Sequence, residues 1–405
     1  MKFKIRLKKY EFLKKINTII NFILAFMFFP PDILRVDEHF EFLYKTINYS
    51  SWLLAICIVI FCGSLYLLGK RKNIIDAKSL LLLLFFFILI FSTILHGDST
   101  RAILMFATKV IALDLLLYYF YCRRKHIYFL HDLYIYLFIM IACNLASQIL
   151  IPNGIVEPSG VNWQPYFICA NANNYVFIYI FTLAIGSIVE LKAYSTIKID
   201  VYLLWMIELY SMLMSDTSTG LIAVLLAGVY LFVIIKMPIK KLLKRIRIIL
   251  IILIIIFCYF VYFNHGDEVA NYLKILTGED VSFSARMYIW KTAVEGIKLH
   301  PLFGYGTAAA NLAYDDSGLT RSAHDNYLEI LIQGGFIGAS MYVLFLYRSL
   351  VDIVKQKSII SDLKFLIVYF IIIYLIVFFV EQNPTFIGFY FLLLLGRVLV
   401  SNDST

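Results

Sequence analysis

Between Leu319 and Gly335 the chain reads LTRSAHDNYLEILIQGG, which gathers Arg321, His324, Asp325 and Glu329 just where an apolar run begins. An imidazole with an unperturbed pKa of about 6.5 can take a proton from a hydroxyl at neutral pH, and a nearby carboxylate can fix its tautomer. His324 is therefore a candidate general base, with Asp325 as its orienting partner. The plainer alternative is an interfacial histidine satisfied at a helix start. Glu329 follows Asp325 at i+4, so both carboxylates point the same way, toward the bundle interior or a wet cavity. A structural role stays open for Glu329. Upstream, SARMYIWKTAVEGIKL places Arg286 four residues before Trp290. A guanidinium is permanently charged and presents a fork that matches phosphate oxygens. The alternative for Arg286 is a side chain snorkelling to the headgroup level, and Lys291 and Lys298 read as solvated.

Three further clusters bear polar chemistry. The stretch GVNWQPYFICANANN supplies Asn162, Trp163, Gln164, Asn171, Asn173 and Asn174, hydrogen-bonding and stacking residues of the kind that hold sugars. Asparagines of this sort equally bond helix to helix. In SDTSTG, Ser218 and Thr219 open a helical run, where backbone N–H groups can bind an anion or form an ordinary cap. Lys109 and Asp114, inside one apolar run, read as an internal structural pair, and Glu381 reads as solvated. The six cysteines, without paired spacing, read as small buried hydrophobes. No Walker loop, GxGxxG, HExxH or zinc spacing occurs, so no nucleotide, metal or other cofactor is expected.

These residues need a frame, and the composition supplies one. The chain of 405 residues is 61% apolar and 16% charged, far above the apolar share of about half in soluble domains. A membrane crossing takes about 20 apolar residues, so the chain reads as an all-α polytopic membrane protein, one integral domain over 1–405. About twelve transmembrane helices are expected, at 16–34, 51–69, 79–95, 102–121, 127–151, 168–191, 199–214, 219–237, 247–263, 325–347, 363–380 and 385–400. The first is preceded by a basic leader, MKFKIRLKKYEFLKK, without a small-residue cleavage site, and reads as a retained anchor. With both termini on one side, 27 of the 36 Lys and Arg fall on that side and 8 on the other, with Lys109 inside a span. This asymmetry makes the terminal side cytoplasmic. It also assigns the net charge of +9 to anionic lipid rather than to nucleic acid. One external connection, 264–324, is far longer than the others and contains turn residues Pro301, Gly304 and Gly306. Met287, Trp290, Val294 and Ile297 at helical spacing predict an amphipathic helix at the membrane surface. The expectation is a folded external lobe between spans nine and ten.

The succession SARMYIW, HPLFGYG and HDNYLEILIQGGFIG over 284–338 resembles the signature region of the O-antigen ligase and polymerase superfamily; GVNWQPYFICANANNY and SDTSTGLIAVL resemble it more loosely. The resemblance implies a bacterial inner-membrane glycosyltransferase working on an undecaprenyl-pyrophosphate-linked oligosaccharide, an acceptor glycan, and a chain-length regulator as a further partner. It implies that Arg286 holds pyrophosphate and that His324 is catalytic. Many relatives have an arginine where this chain has Ser218-Thr219-Gly220, so a second clamp would come from Arg321 or Arg101. The usual His-Asn pair reads here as His324-Asp325-Asn326. Under this reading an acceptor hydroxyl attacks the anomeric carbon with inversion and without a metal.

A lipid-linked oligosaccharide transporter is the rival class. Transporters tend to carry paired repeats and polar residues near the midplane, whereas no repeat is visible here and the polar cluster lies at one face. Between polymerase and ligase, the Ser-Thr-Gly variant and the short, phenylalanine-rich chain incline the reading toward a repeat-unit polymerase.

Overall fold

In an apolar solvent a run such as LLLLLFFFILIFSTIL has no polar partner for its backbone but itself, and it becomes a helix. The computed structural model describes residues 2–67, 76–157, 164–171, 173–215, 217–233, 283–307, 313–314, 320–321, 323–356, 361–396 and a few isolated positions. Side chains are described from residue 15 and, in the segments after 283, at 289–307 and from 323. The helices are α1 Lys2–Phe28, the short α2 Ile33–Val36, α3 Glu41–Leu67, α4 Ala77–Leu95, α5 Arg101–Cys122, α6 His126–Leu150 and α7 Tyr175–Tyr194. They continue with α8 Ile199–Met214, α9 Ser218–Phe232, α10 Phe283–Leu299, α11 Asn326–Lys355, α12 Ser361–Val377 and α13 Ile387–Leu395. The described extended pairing is a two-residue ladder, β1 Ala313–Tyr314 against β2 Thr320–Arg321, with Ala313 opposite Arg321.

The protein is thus nearly all-helical and multi-pass. Among the described residues six helices are long and apolar enough to cross a membrane: Glu38–Leu65, α4, α5, α6, α7 and α11. Every expected span except 247–263 overlaps a helix, and 247–263 lies almost wholly outside the described residues. By length, α8, α12 and α13, at 16, 17 and 9 residues, fall short of a full crossing. The span expected from 168 begins only at Tyr175. The Asn174 amide donates to Asn171 Oδ1 at 3.1 Å, and Asn173 bonds Gln164 through both backbone and side chain. Such local bonds offer the backbone an alternative to the helix.

The buried α7 is the hub, packed against α6, α8, α9, α12 and α13, while α4 runs along α11 and α3 along α5. Lipid is as apolar as leucine, so close contact and hydrogen bonds hold these helices together. Gln148 reaches Tyr175 and Ser211, Ser211 meets Tyr179, and Asn144 joins Tyr179 to the Cys169 amide, all within 2.9 Å. Lys109 reaches across to Asn48 of α3 at 2.7 Å, while Asp114 accepts from Ser79 of α4 at 2.6 Å, so each serves a helix contact of its own rather than the internal pairing expected. Two other expectations are corrected. Glu381 is buried, at 5% exposure, because the segment after α12 folds back onto the bundle. Cys57 and Cys143 face outward, while Cys62 and Cys169 are buried.

One feature of α11 sets the geometry of everything near it. At Gly335 the backbone leaves the helix (φ 60°, ψ −166°), so the usual bonds from Phe336 to Ile332 and from Ile337 to Gln333 are not made. The loop after α10 fills the gap. Tyr305 and Gly306 amides donate to the Ile332 and Gln333 carbonyls at 2.7 and 2.9 Å, and Phe336 and Ile337 amides donate to Pro301 and Leu302 at 2.7 and 3.1 Å. The approach is close enough that a Cβ on Gly304 would sit 2.3 Å from the Ile332 carbonyl oxygen, and one on Gly335 2.3 Å from that of Leu302. HPLFGYG and LIQGGFIG are therefore two halves of one joint.

Candidate functional site

The apolar face of α10 is packed inside the protein instead of lying on lipid. Trp290, Ala293, Val294 and Ile297 form a cluster with Ala323, Leu328, Leu331 and Ile332 of the α11 end, and Lys291 and Lys298 on the opposite face are exposed as expected. Interior packing was available because the loop joint brings α10 against α11. The Trp290 indole N–H donates to the Ala323 carbonyl at 3.1 Å. The next residue, His324, is half-buried and adopts a left-handed backbone (φ 48°), which histidine tolerates better than most side chains.

Asp325 then caps α11. Its Oδ1 accepts from the Tyr327 and Leu328 amides, both at 2.8 Å. Asp325 thus fixes the start of the helix in an N-cap geometry. The Asn326 amide donates to the Phe378 carbonyl at 2.9 Å, and the Tyr327 hydroxyl to that of Leu375 at 2.7 Å, so the α11 start is tied to the end of α12.

Below this turn Glu329, 2% exposed, accepts from Gln333 at 2.8 Å. Gln333 lines a cavity of about 210 Å³ between α4, α5, α11 and α13, walled by Phe85, Phe86, Phe106 and Tyr390 with Ser99, Thr307 and Thr385 as its other polar groups. Among the described residues, Asp325 Oδ2, both side-chain polar atoms of Asn326 and Glu329 Oε2 at the same helix start are buried without hydrogen-bond partners, as is Gln382 Oε1 beyond α12. Buried polar groups are normally paired. A concentration of unpaired ones marks a corner suited to a polar ligand.

The remaining candidates distribute as follows. Arg286 lies in α10 one turn before Trp290, and Arg321 lies in β2; both side chains fall outside the described residues, but α10 contacts β1, so the two backbones share one lobe with His324. Arg101 opens α5, exposed, with its guanidinium 4.8 Å from the Tyr49 ring centre, a cation–π contact beside the cavity wall. Asn162 and Trp163 lie outside the described residues. Asn173 and Asn174 serve the local loop before α7. They occupy the same end of the bundle as His324, because the Phe177 ring of α7 lies 5.8 Å from that of Phe378, the residue whose carbonyl accepts the Asn326 amide. Ser218 is exposed and Thr219 half-buried at the start of α9, where no side chain caps the helix. Trp290, Gln333 and Gln382 escaped the sequence reading. Trp290 registered there as part of an apolar stripe, and its buried donor is the signal that would have singled it out.

Among the described residues no group of three or more His, Cys, Asp or Glu side chains is gathered as a metal site requires. Residues 201–343, about a third of the chain, match the family described as O-antigen ligase. This stretch runs from α8 into α11 and contains Arg286, Arg321 and His324. The chain matches no curated protein.

Proposed function

We propose, on the premise of a membrane protein of the O-antigen ligase/polymerase superfamily, that the chain transfers an oligosaccharide from undecaprenyl pyrophosphate to an acceptor sugar hydroxyl, as a polymerase of surface-polysaccharide repeat units. The observation that supports this most is the placement of His324. It is half-buried on a pinned turn within the family-matched region, next to a corner of unpaired polar groups and in the lobe that carries Arg286 and Arg321.

In the proposed reaction the acceptor oxygen forms a bond to the donor's anomeric carbon as the bond from that carbon to the pyrophosphate oxygen breaks. The hydroxyl proton passes to His324, and the charge growing on the departing undecaprenyl pyrophosphate is met by Arg286 and Arg321. Backside attack inverts the anomeric carbon, and the arginines take the neutralising role a metal would otherwise fill. Arg101 is an alternative clamp. Asn162, Trp163, Asn173, Asn174, Ser218 and Thr219 are the proposed glycan contacts. Twelve spans, cytoplasmic termini and an external 264–324 lobe complete the proposal, supported by the 27-to-8 basic asymmetry. A cysteine at exposed Lys298 should react with a membrane-impermeant thiol reagent in intact cells or spheroplasts. Reaction solely after lysis overturns the topology.

The family's description favours a second reading, ligation of finished glycan onto an acceptor such as a lipid core. Deleting the gene and resolving surface glycan on gels separates the two. Single-unit decoration identifies a polymerase, and polymer stranded on its carrier lipid identifies a ligase. Unchanged glycan sinks both.

A further inference from the structure

We infer that Trp290 is a positioning residue for His324, fixing through its indole N–H the turn that presents the imidazole to the acceptor hydroxyl. The inference deepens the reading of His324 as general base and rests on it. His324 has the backbone of a residue that does not choose its conformation: φ is 48°, a region L side chains avoid, and such geometry persists where the surroundings over-determine it. The anchors lie on both flanks. On the following side, Asp325 accepts from the Tyr327 and Leu328 amides and the Asn326 amide is held by Phe378. On the preceding side, the Ala323 carbonyl is held by Trp290 Nε1 at 3.1 Å, with Trp290 2% and Ala323 0% exposed. A hydrogen bond so shielded from water is not readily exchanged for one to solvent.

Trp290 has a second property that a plain core residue lacks. It sits on α10 one turn after Arg286, so the helix carrying the proposed pyrophosphate clamp is the helix that holds the His324 turn. The indole bond thereby sets the separation between the base, which must reach the acceptor, and the cation, which must reach the leaving group. Both act on one anomeric carbon, from opposite sides. A shift of the turn relative to α10 spoils in-line attack while leaving the donor able to bind, because binding and alignment have different tolerances.

Replacing Trp290 by phenylalanine, or by the sulfur isostere β-(3-benzothienyl)alanine through amber suppression, removes the N–H; the second keeps the shape of the ring pair. Transfer should be measured with purified full-length protein and lipid-linked donor, alongside Val294→Ala, which trims the same apolar face without touching the bond, and His324→Asn. The expected result is a kcat about ten- to a hundred-fold lower for both Trp290 variants with the donor KM unchanged, and a kcat within about three-fold of wild type for Val294→Ala. If the benzothienyl variant keeps wild-type kcat while His324→Asn is inactive, Trp290 is packing and the inference fails. If His324→Asn is active, the general-base reading fails on its own, whatever Trp290 does. Should Trp290→Phe not fold, the isostere alone decides.

Discussion

His324→Asn should insert and fold like the wild type and still lose transfer by roughly two to four orders of magnitude, the range that general-base catalysis contributes. Asparagine is the right probe because of the backbone. With φ at 48°, position 324 disfavours most L residues, and asparagine is among those that enter this region at least cost. It also retains hydrogen-bonding atoms while being unable to accept the proton at neutral pH. Glutamine matches imidazole better in reach but adapts less well to the left-handed backbone, so His324→Gln mixes a backbone effect with the chemical one where His324→Asn does not. Donor binding should survive, since the pyrophosphate is assigned to the arginines. Arg286→Lys makes the complementary case: lysine snorkels nearly as well but lacks the fork, and it should weaken transfer without disturbing insertion. A His324→Asn enzyme retaining more than about a tenth of wild-type turnover removes the imidazole from the mechanism.

Gly335→Ala should be the more damaging change to the fold, although it adds one methyl group. At φ 60° and ψ −166° the residue occupies a region open essentially to glycine, with a strain cost of about 1–3 kcal/mol for anything else. The added Cβ would stand 2.3 Å from a backbone oxygen, that of Leu302, which no rotamer change can relieve. Separating the joint would release four backbone hydrogen bonds, each contributing about 1 kcal/mol. Together these approach the roughly 5–15 kcal/mol by which folded proteins exceed their unfolded states. Gly338→Ala is the control, because its Cβ would meet Ile88 at an ordinary 3.5 Å. The check is the monodisperse fraction and thermal midpoint in mild detergent. Equal behaviour of the two variants would show that the break in α11 is dispensable.

The sequence made some of this legible and hid the rest for identifiable reasons. The extents of α4 and α8 follow from predominantly apolar runs, and the expected spans 79–95 and 199–214 meet the helices closely. The start of α11 was visible as well, since Asp325 lies immediately before an apolar run and asparagine, tyrosine and leucine follow. That this aspartate caps the helix was not legible: proximity suggested a partner for His324, and capping depends on amides that exist as donors only once α11 has formed. The late start of α7 turned on short-range asparagine bonds that hydropathy does not weigh. The amphipathic pattern of α10 was read correctly, but a stripe of Trp290, Val294 and Ile297 does not say whether lipid or another helix will cover it. Least legible was the break at Gly335. A pair of glycines within an apolar stretch is close to neutral in hydropathy, and the partner loop lies some thirty residues away.

The joint also bears on how the protein is made. Residues 301–306 leave the ribosome before α11 does, and they hold the amides and carbonyls that α11 lacks at its break. Entering the bilayer alone in this broken form, Asn326–Lys355 would carry four unmet backbone groups into an environment with no water to meet them. Its final form is therefore available only after the preceding segment has come to rest beside it, so that α11 reaches its broken shape together with that neighbour and not before it. Order of synthesis and order of assembly coincide at this point in the chain.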